Sequence, residues 1–142
     1  MDLTTPWINL ENHAVIQHST NDSVMPVPTV ILQHRLYYHG TWFRALEAQI
    51  GVDLRYFTRY HAPVLCPATG MFATQQSTEV GNYPWMNVYA NFFVKSIHLR
   101  FFVQYQHINR LFMASNKNYL TMPGYPSNPD QFRAGLAWHF YN

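Results

Sequence analysis

The chain has 142 residues and a net charge of +2; 11% of its residues are charged, 48% apolar and 17% aromatic. A soluble domain averages about 25% charged residues, so much of the exterior is expected to face something other than water. The small charge, without a basic run, argues against a nucleic-acid surface. The single cysteine, Cys66, excludes an internal disulfide framework, and no apolar run is long enough for a spanning helix.

Alternation of apolar and polar side chains with a period of two predicts six strands. In chain order they span approximately residues 6–19, 27–38, 42–57, 85–94, 97–109 and 131–141. The pattern is clearest in the fifth, where every odd-numbered residue from Ile97 to Tyr105 is apolar. Each segment is near or above the 9 to 11 residues that cross a bilayer at a tilt. The predicted fold class is therefore all-β, an antiparallel meander forming part of an outer-membrane β-barrel.

Short and long connections alternate along the chain. A three-residue turn is predicted at His39-Gly40-Thr41, and a two-residue turn at Lys95-Ser96, where the apolar face changes from even to odd numbers. The other connections are long loops, the largest being residues 58–84 and 110–130. Outer-membrane barrels have short periplasmic turns and long outer loops. Both chain ends are therefore predicted on the periplasmic side, with the loops around Asp22, Cys66 and Asn118 outside the cell.

The alternation alone leaves the orientation of the apolar row open, because a soluble ligand-binding barrel also alternates. The polar row is poor in Lys and Glu, which is unusual for a solvated exterior. Aromatic residues also lie near the strand ends, as in membrane interfaces. We therefore interpret the apolar row as lipid-facing. The aromatic residues are Tyr38, Trp42, Tyr56, Trp85, Trp138 and Phe140, and the candidate lumen-lining residues are Arg35, Glu47, Asp53, Arg55, Arg100, Gln104 and Arg133.

Two polar residues, Asn12 and His34, fall on the predicted lipid face near mid-strand. A polar group is costly there unless it has a partner. Either a bulge shifts the register or a neighbouring protein is expected to cover that face.

The second half of the chain carries a recognisable set of motifs. They are Pro67-Ala68-Thr69-Gly70-Met71-Phe72 with Gln75, Gly81-Asn82-Tyr83-Pro84, His107-Ile108-Asn109, Met122-Pro123-Gly124-Tyr125-Pro126, and residues 132–142. Together they resemble the C-terminal region of the putative porin family of Bacteroidetes outer-membrane proteins. The resemblance implies a large single-chain barrel that conducts small solutes and has no established catalytic residues. Such proteins are several times longer, so this chain is expected to be a fragment, a separate piece or a truncated reading frame.

The sequence contains no pattern typical of a catalytic or metal site. The eight histidines show no zinc-motif spacing. Ser96 and His98 would share a strand face, but no local acid completes a triad. No enzyme activity, cofactor or metal is expected. The arginines of the polar row are interpreted mainly as an ion-pair ladder with Glu47 and Asp53, and alternatively as a field that favours anions.

The predicted function is passive diffusion of small polar solutes across a bacterial outer membrane. The alternatives are an accessory barrel subunit of a larger outer-membrane complex, and a soluble ligand-binding β-barrel. The first residues, Met1–Pro6, lack a signal-peptide pattern, so a signal is expected on a longer precursor. Six strands are too few to close a single-chain barrel. The expected partners are outer-membrane lipid and further strands, from a longer chain or a partner chain, that pair with both edges of an open sheet.

Overall fold

A computed structural model describes residues 2–112, 120, 122–125 and 128–140 of the chain. Seven strands form one antiparallel sheet in which each strand pairs with the next one along the sheet. They are β1 (Asp2–Thr4), β2 (Ile8–Ile16), β3 (Val30–Trp42), β4 (Leu46–Phe57), β7 (Trp85–Val94), β8 (Leu99–Gln106) and β9 (Gln131–Trp138). A separate hairpin contains β5 (Val64–Cys66) and β6 (Met71–Ala73). The predicted all-β antiparallel meander is confirmed. No helix in the described ranges is long and apolar enough to cross a membrane.

The short strand β1 is one element that the alternation missed, as are β5 and β6 within the predicted loop of residues 58–84. It turns back at residues 5–7, and Leu3 pairs with Leu10 of β2. The hydroxyl of Thr5 accepts a hydrogen bond from the Ile8 amide at 2.9 Å, which stabilises this reversal. Asp2 therefore lies beside Glu11 within the sheet, and not at the short-turn end where the first strand was predicted to begin.

The turn between β3 and β4 lies four residues later than predicted. Trp42 pairs with Leu46, so the turn is at residues 43–45 and not at His39-Gly40-Thr41. Phe43 and Arg44 have φ values of 51° and 60°, and the Ala45 amide donates to the Trp42 carbonyl at 3.3 Å. Two successive positive φ values are typical of a type I′ bend, and here the bend lies within a three-residue connection that also includes Ala45. The apolar residues are even-numbered on both sides of this turn, which requires an odd number of turn residues but does not fix where the turn lies.

Gly40 lies inside β3 because an aromatic ring occupies the space of its missing side chain. A Cβ at this position would lie 2.3 Å from the hydroxyl oxygen of Tyr38. A glycine in a strand often marks such a close approach, whereas the sequence analysis interpreted it as a turn residue.

The connection between β7 and β8 is also longer than predicted. Val94 pairs with Leu99, so four residues form the turn, with a short 3₁₀ segment at Lys95–Ile97 and His98 in the left-handed region. A two-residue and a four-residue turn both change the apolar face from even to odd numbers, so the sequence pattern could not separate them.

Large apolar side chains are exposed along the predicted lipid face of the sheet. Leu36 is 48%, Phe132 63% and Leu136 66% accessible. Within the described residues, the buried apolar side chains are only Ala48, Ala62, Val80 and Tyr83. A soluble domain of this size would bury a continuous core, and here no second layer of described residues covers the apolar face.

The sheet is open. Its outer strands are β1 and β9, and the pairings of the described residues join neither β1 nor β2 to β9. The prediction of an unclosed sheet is therefore confirmed for this chain.

The described parts of the three long connections leave the sheet at the end opposite the turns at residues 43–45 and 95–98. The loop of residues 58–84 has internal structure: Tyr60 bridges to Val80, and the Gln75 side chain donates to the carbonyls of Ala62 and Thr78 at 2.8 and 2.7 Å. The loop returns to β4 at Asn82, whose side chain accepts a hydrogen bond from the Tyr56 hydroxyl at 2.7 Å. The predicted outer position Asn118 lies outside the described residues.

Candidate functional site

The polar face of the sheet brings the seven candidate lumen-lining residues together. Arg35 is the Cα partner of Asp53, and Gln104 is the partner of Arg133. Glu47 and Arg100 flank Phe93 in one cross-strand row. Partners in an antiparallel sheet point to the same face, so all seven candidates share one face. Their lumen-lining role stays a prediction.

A glycine at the centre of this face creates a polar depression. Gly51 pairs with Tyr37 on one side and Tyr89 on the other. A Cβ on Gly51 would lie 2.7 Å from atoms of both tyrosines, so a side chain there would displace them. The depression has a volume of about 380 Å³ and is lined by Glu11, Arg35, Tyr37, Gln49, Asp53, Arg55, Tyr89 and Gln104.

Two of the arginines form ion pairs. Arg35 Nη1 lies 3.1 Å from Glu11 Oε2, and the Tyr37 hydroxyl donates to Glu11 Oε1 at 3.2 Å. Arg55 Nε lies 3.7 Å from Asp53 Oδ2. The Arg35–Glu11 pair is partly exposed on both sides and contributes about 0–1 kcal/mol, whereas the Asp53 carboxylate of the second pair is buried.

Glu47 does not pair with an arginine as the ion-pair interpretation assumed. Its carboxylate Oε1 lies 2.8 Å from Nζ of Lys95 in the turn between β7 and β8. The turn places the lysine beside the end of β4, and the Lys95 amide donates to the Ala45 carbonyl at 2.9 Å. The contact between Glu47 and Lys95 follows from the pairing of β4 with β7. Alternation within each strand does not predict which strands pair, so the sequence analysis did not find it.

The other two arginines have different surroundings. The guanidinium carbon of Arg100 lies 5.3 Å from the ring centroid of Phe93, which is a cation–π distance. Arg133 donates from Nε and Nη2 to Gln131 Oε1 at 3.2 and 2.9 Å. Neither arginine forms an ion pair within the described ranges.

The two polar residues of the apolar face are directly paired. Asn12 is the Cα partner of His34 in an uninterrupted register, and His34 Nδ1 lies 2.6 Å from Asn12 Oδ1. The bulge offered as an explanation is therefore absent from this strand pair. Each of these two side chains therefore has a polar partner within the sheet. A covering protein was expected to supply such a partner.

A cluster at the long-loop end joins β7 to the loop after β8. His107 is 3% accessible; its ring stacks on Trp85 with centroids 4.4 Å apart and Nε2 lies 2.9 Å from the Tyr83 hydroxyl. Burial lowers the pKa of His107 below its ordinary value. The Asn109 side chain bonds to the Pro84 carbonyl and, at 3.2 Å, to the Met86 amide. The motifs around Tyr83 and His107, separate in the sequence, thus meet in one packing unit.

Trp85 belongs to this cluster and lies on the polar face, as the Cα partner of Arg55. The prediction that Trp85 lies at the membrane interface is therefore wrong. Its ring packs against His107 and not among the exposed apolar side chains.

Ser96 and His98, which the sequence analysis considered and set aside as a nucleophile and its base, lie elsewhere than on a strand. Ser96 and His98 lie in the turn between β7 and β8 and do not share a strand face. Over the described part of the chain, no three His, Cys, Asp or Glu side chains converge as a metal site. Cys66 ends β5 as a half-buried thiol.

Comparison with known proteins gives one match. The model of a family described as putative porin matches residues 1–142. No curated protein and no solved structure matches the chain.

Proposed function

The chain belongs to the putative porin family, and from this premise we propose that it forms part of the wall of an outer-membrane pore. The polar face lines a water-filled lumen, and the apolar face contacts lipid. Small polar solutes pass by diffusion, without catalytic chemistry. The observation that carries the proposal is the exposed apolar face of a sheet whose longest strands, β3, β4 and β7, are long enough to cross a bilayer.

Aromatic residues at the short-turn end support this orientation. On the apolar face, Trp42 Nε1 donates to the Tyr38 hydroxyl at 3.3 Å, and the Phe92 and Phe101 rings stack with centroids 4.7 Å apart. Trp138 lies in the same cross-strand row as Leu99. Amphipathic rings favour the membrane–water interface.

Aromatic residues near the long-loop end mark a second boundary. The Tyr56 hydroxyl bonds to Asn82, and the Tyr105 hydroxyl donates to Asp130 Oδ2 at 2.8 Å. Along β4, ten residues separate the row of Trp42 from Tyr56, about 33 Å of strand. At a tilt of about 40° this corresponds to roughly 25 Å, the height of the apolar band of an outer-membrane barrel.

Further strands are needed to complete the wall. The outer edges of β1 and β9 would leave N–H and C=O groups unpaired, each at a cost of several kcal/mol in hydrocarbon. We infer that strands of a longer chain, or of a partner chain, pair with both edges in the outer membrane. The long loops then face outward and the short turns face the periplasm.

Conductance tests the proposal. The native protein, purified in detergent and added to a planar bilayer, is expected to produce stepwise increases in ionic current. Polyethylene glycols small enough to enter the lumen should reduce the current, whereas larger ones should not. Protein that inserts without conducting would favour the accessory-subunit alternative. Protein that stays monodisperse without detergent would favour the soluble barrel.

A further inference from the structure

The charges of the polar face are unevenly distributed between its two halves. All of its carboxylates lie on β1, β2 and β4, namely Asp2, Glu11, Glu47 and Asp53. The residues of β7, β8 and β9, which are all described, include no carboxylate on either face. Those three strands do carry Arg100 and Arg133 on the polar face.

Three of the four carboxylates of the first half, Glu11, Glu47 and Asp53, lie close to a cationic side chain. Arg35 is paired with Glu11, and Arg55 with Asp53. Glu47, the carboxylate nearest Arg100 across Phe93, is held by Lys95 at 2.8 Å. An ion passing over this half meets pairs of opposite charge whose fields largely cancel at a distance.

The second half has no ion pair on its polar face. Arg100 rests on the Phe93 ring, and Arg133 is held by the neutral side chain of Gln131. Both arginine side chains are exposed on the sheet. Guanidinium groups that face a pore without an ion-pair partner attract anions and repel cations.

The two arginines also lie at different depths. Arg100 pairs with Ala137, and Arg133 lies four residues before Ala137 on β9. Four residues of strand correspond to about 13 Å. The guanidinium groups are therefore arranged in succession along the strand direction and not as one cluster.

We propose that the wall formed by β7, β8 and β9 biases passage toward small anions, with Arg100 and Arg133 as successive points of attraction. This inference rests on the proposed pore and names the solute class that it favours.

The test measures the reversal potential of the native pore, reconstituted in a planar bilayer, across a potassium chloride gradient. The double variant Arg100→Gln with Arg133→Gln should lower the chloride-to-potassium permeability ratio. At low salt we expect roughly a four-fold decrease per arginine, because a unit charge about 10 Å away in water changes the Boltzmann factor of each ion by roughly two-fold and in opposite directions. The double variant Arg100→Lys with Arg133→Lys should retain most of the wild-type ratio.

A neutral pair supplies the matched control. Glu11→Gln combined with Arg35→Gln alters the same face without changing its net charge, and should leave the ratio unchanged. The inference is overturned if the double Gln variant conducts with the wild-type ratio, or if the neutral-pair control shifts the ratio equally. A wild-type protein that forms no channel would overturn the proposed pore and the inference with it.

Discussion

His34 and Asn12 face each other across β3 and β2 on the apolar face, with His34 Nδ1 2.6 Å from Asn12 Oδ1. Two polar side chains on a surface proposed to contact lipid thus share a hydrogen bond across a regular strand pair. In hydrocarbon, the loss of one partner leaves the other without that bond, whereas the loss of both removes the polar groups.

We therefore predict a non-additive double-mutant cycle. His34→Leu alone should lower the free energy of unfolding by about 1–3 kcal/mol, because the Asn12 side chain loses this bond. Asn12→Leu with His34→Leu should be nearly neutral. Urea unfolding of the protein folded in lipid vesicles measures these two variants and Asn12→Leu alone, which completes the cycle. Additive losses would show that the pair does not act as a unit.

Gly51 provides a test of packing on the polar face. Gly51→Ala should destabilise the sheet by about 1–3 kcal/mol, the usual cost of overpacking, because the new Cβ would meet Tyr37 and Tyr89 at 2.7 Å. Tyr89→Ala in the Gly51→Ala background should recover part of the loss, whereas Tyr89→Ala alone should not stabilise. A neutral Gly51→Ala variant would contradict the close approach of the rings.

The alternation of the sequence predicts the six long strands, their faces and the open sheet, because a period of two is encoded locally in each strand. Alternation cannot locate a turn, since moving it by an even number of residues preserves the faces, and Gly40 and Lys95 were misinterpreted for that reason. The three residues of β1 are too few to show a period. The pairing of Glu47 with Lys95 depends on strand neighbours far apart in the chain, as does the contact of His107 with Tyr83.

The buried His107 predicts a pH dependence at the long-loop end. Its folded-state pKa is lowered from the ordinary value of 6.5, so the neutral ring is favoured when the loop is packed. Its contribution to loop stability is fully present above pH 6.5 and decreases as the pH falls below that value toward the folded pKa. The groups that face the His107 ring include Tyr83, Trp85, Arg110 and Asp130. The hydrogen bond from the Tyr105 hydroxyl lowers the pKa of Asp130, so that carboxylate stays charged.

Limited proteolysis at pH 7.5 and pH 5.5 measures this effect. Cleavage of the loop of residues 58–84 should become faster at the lower pH in the wild type. His107→Gln, which cannot titrate, should show cleavage that changes less between the two pH values, after correction for protease activity. Equal pH dependence in both proteins would assign the effect to other groups.

The orientation of the loops predicts selective surface labelling. In a Cys66→Ser background, Asp22→Cys lies in a long connection and Ser96→Cys in a short turn. An impermeant thiol reagent added to intact cells should label the first variant and not the second. Labelling of the second alone would reverse the orientation in the membrane.

The central claim is that the polar face lines the pore, and neighbouring residues of β8 test it most directly. Gln104 lies on the polar face beside Arg133, and Val103 lies on the apolar face beside Ala134. In the Cys66→Ser background, a charged thiol reagent should change the single-channel conductance of the Gln104→Cys pore and leave that of the Val103→Cys pore unchanged. A conductance change confined to the Val103→Cys pore would contradict the assignment of the faces.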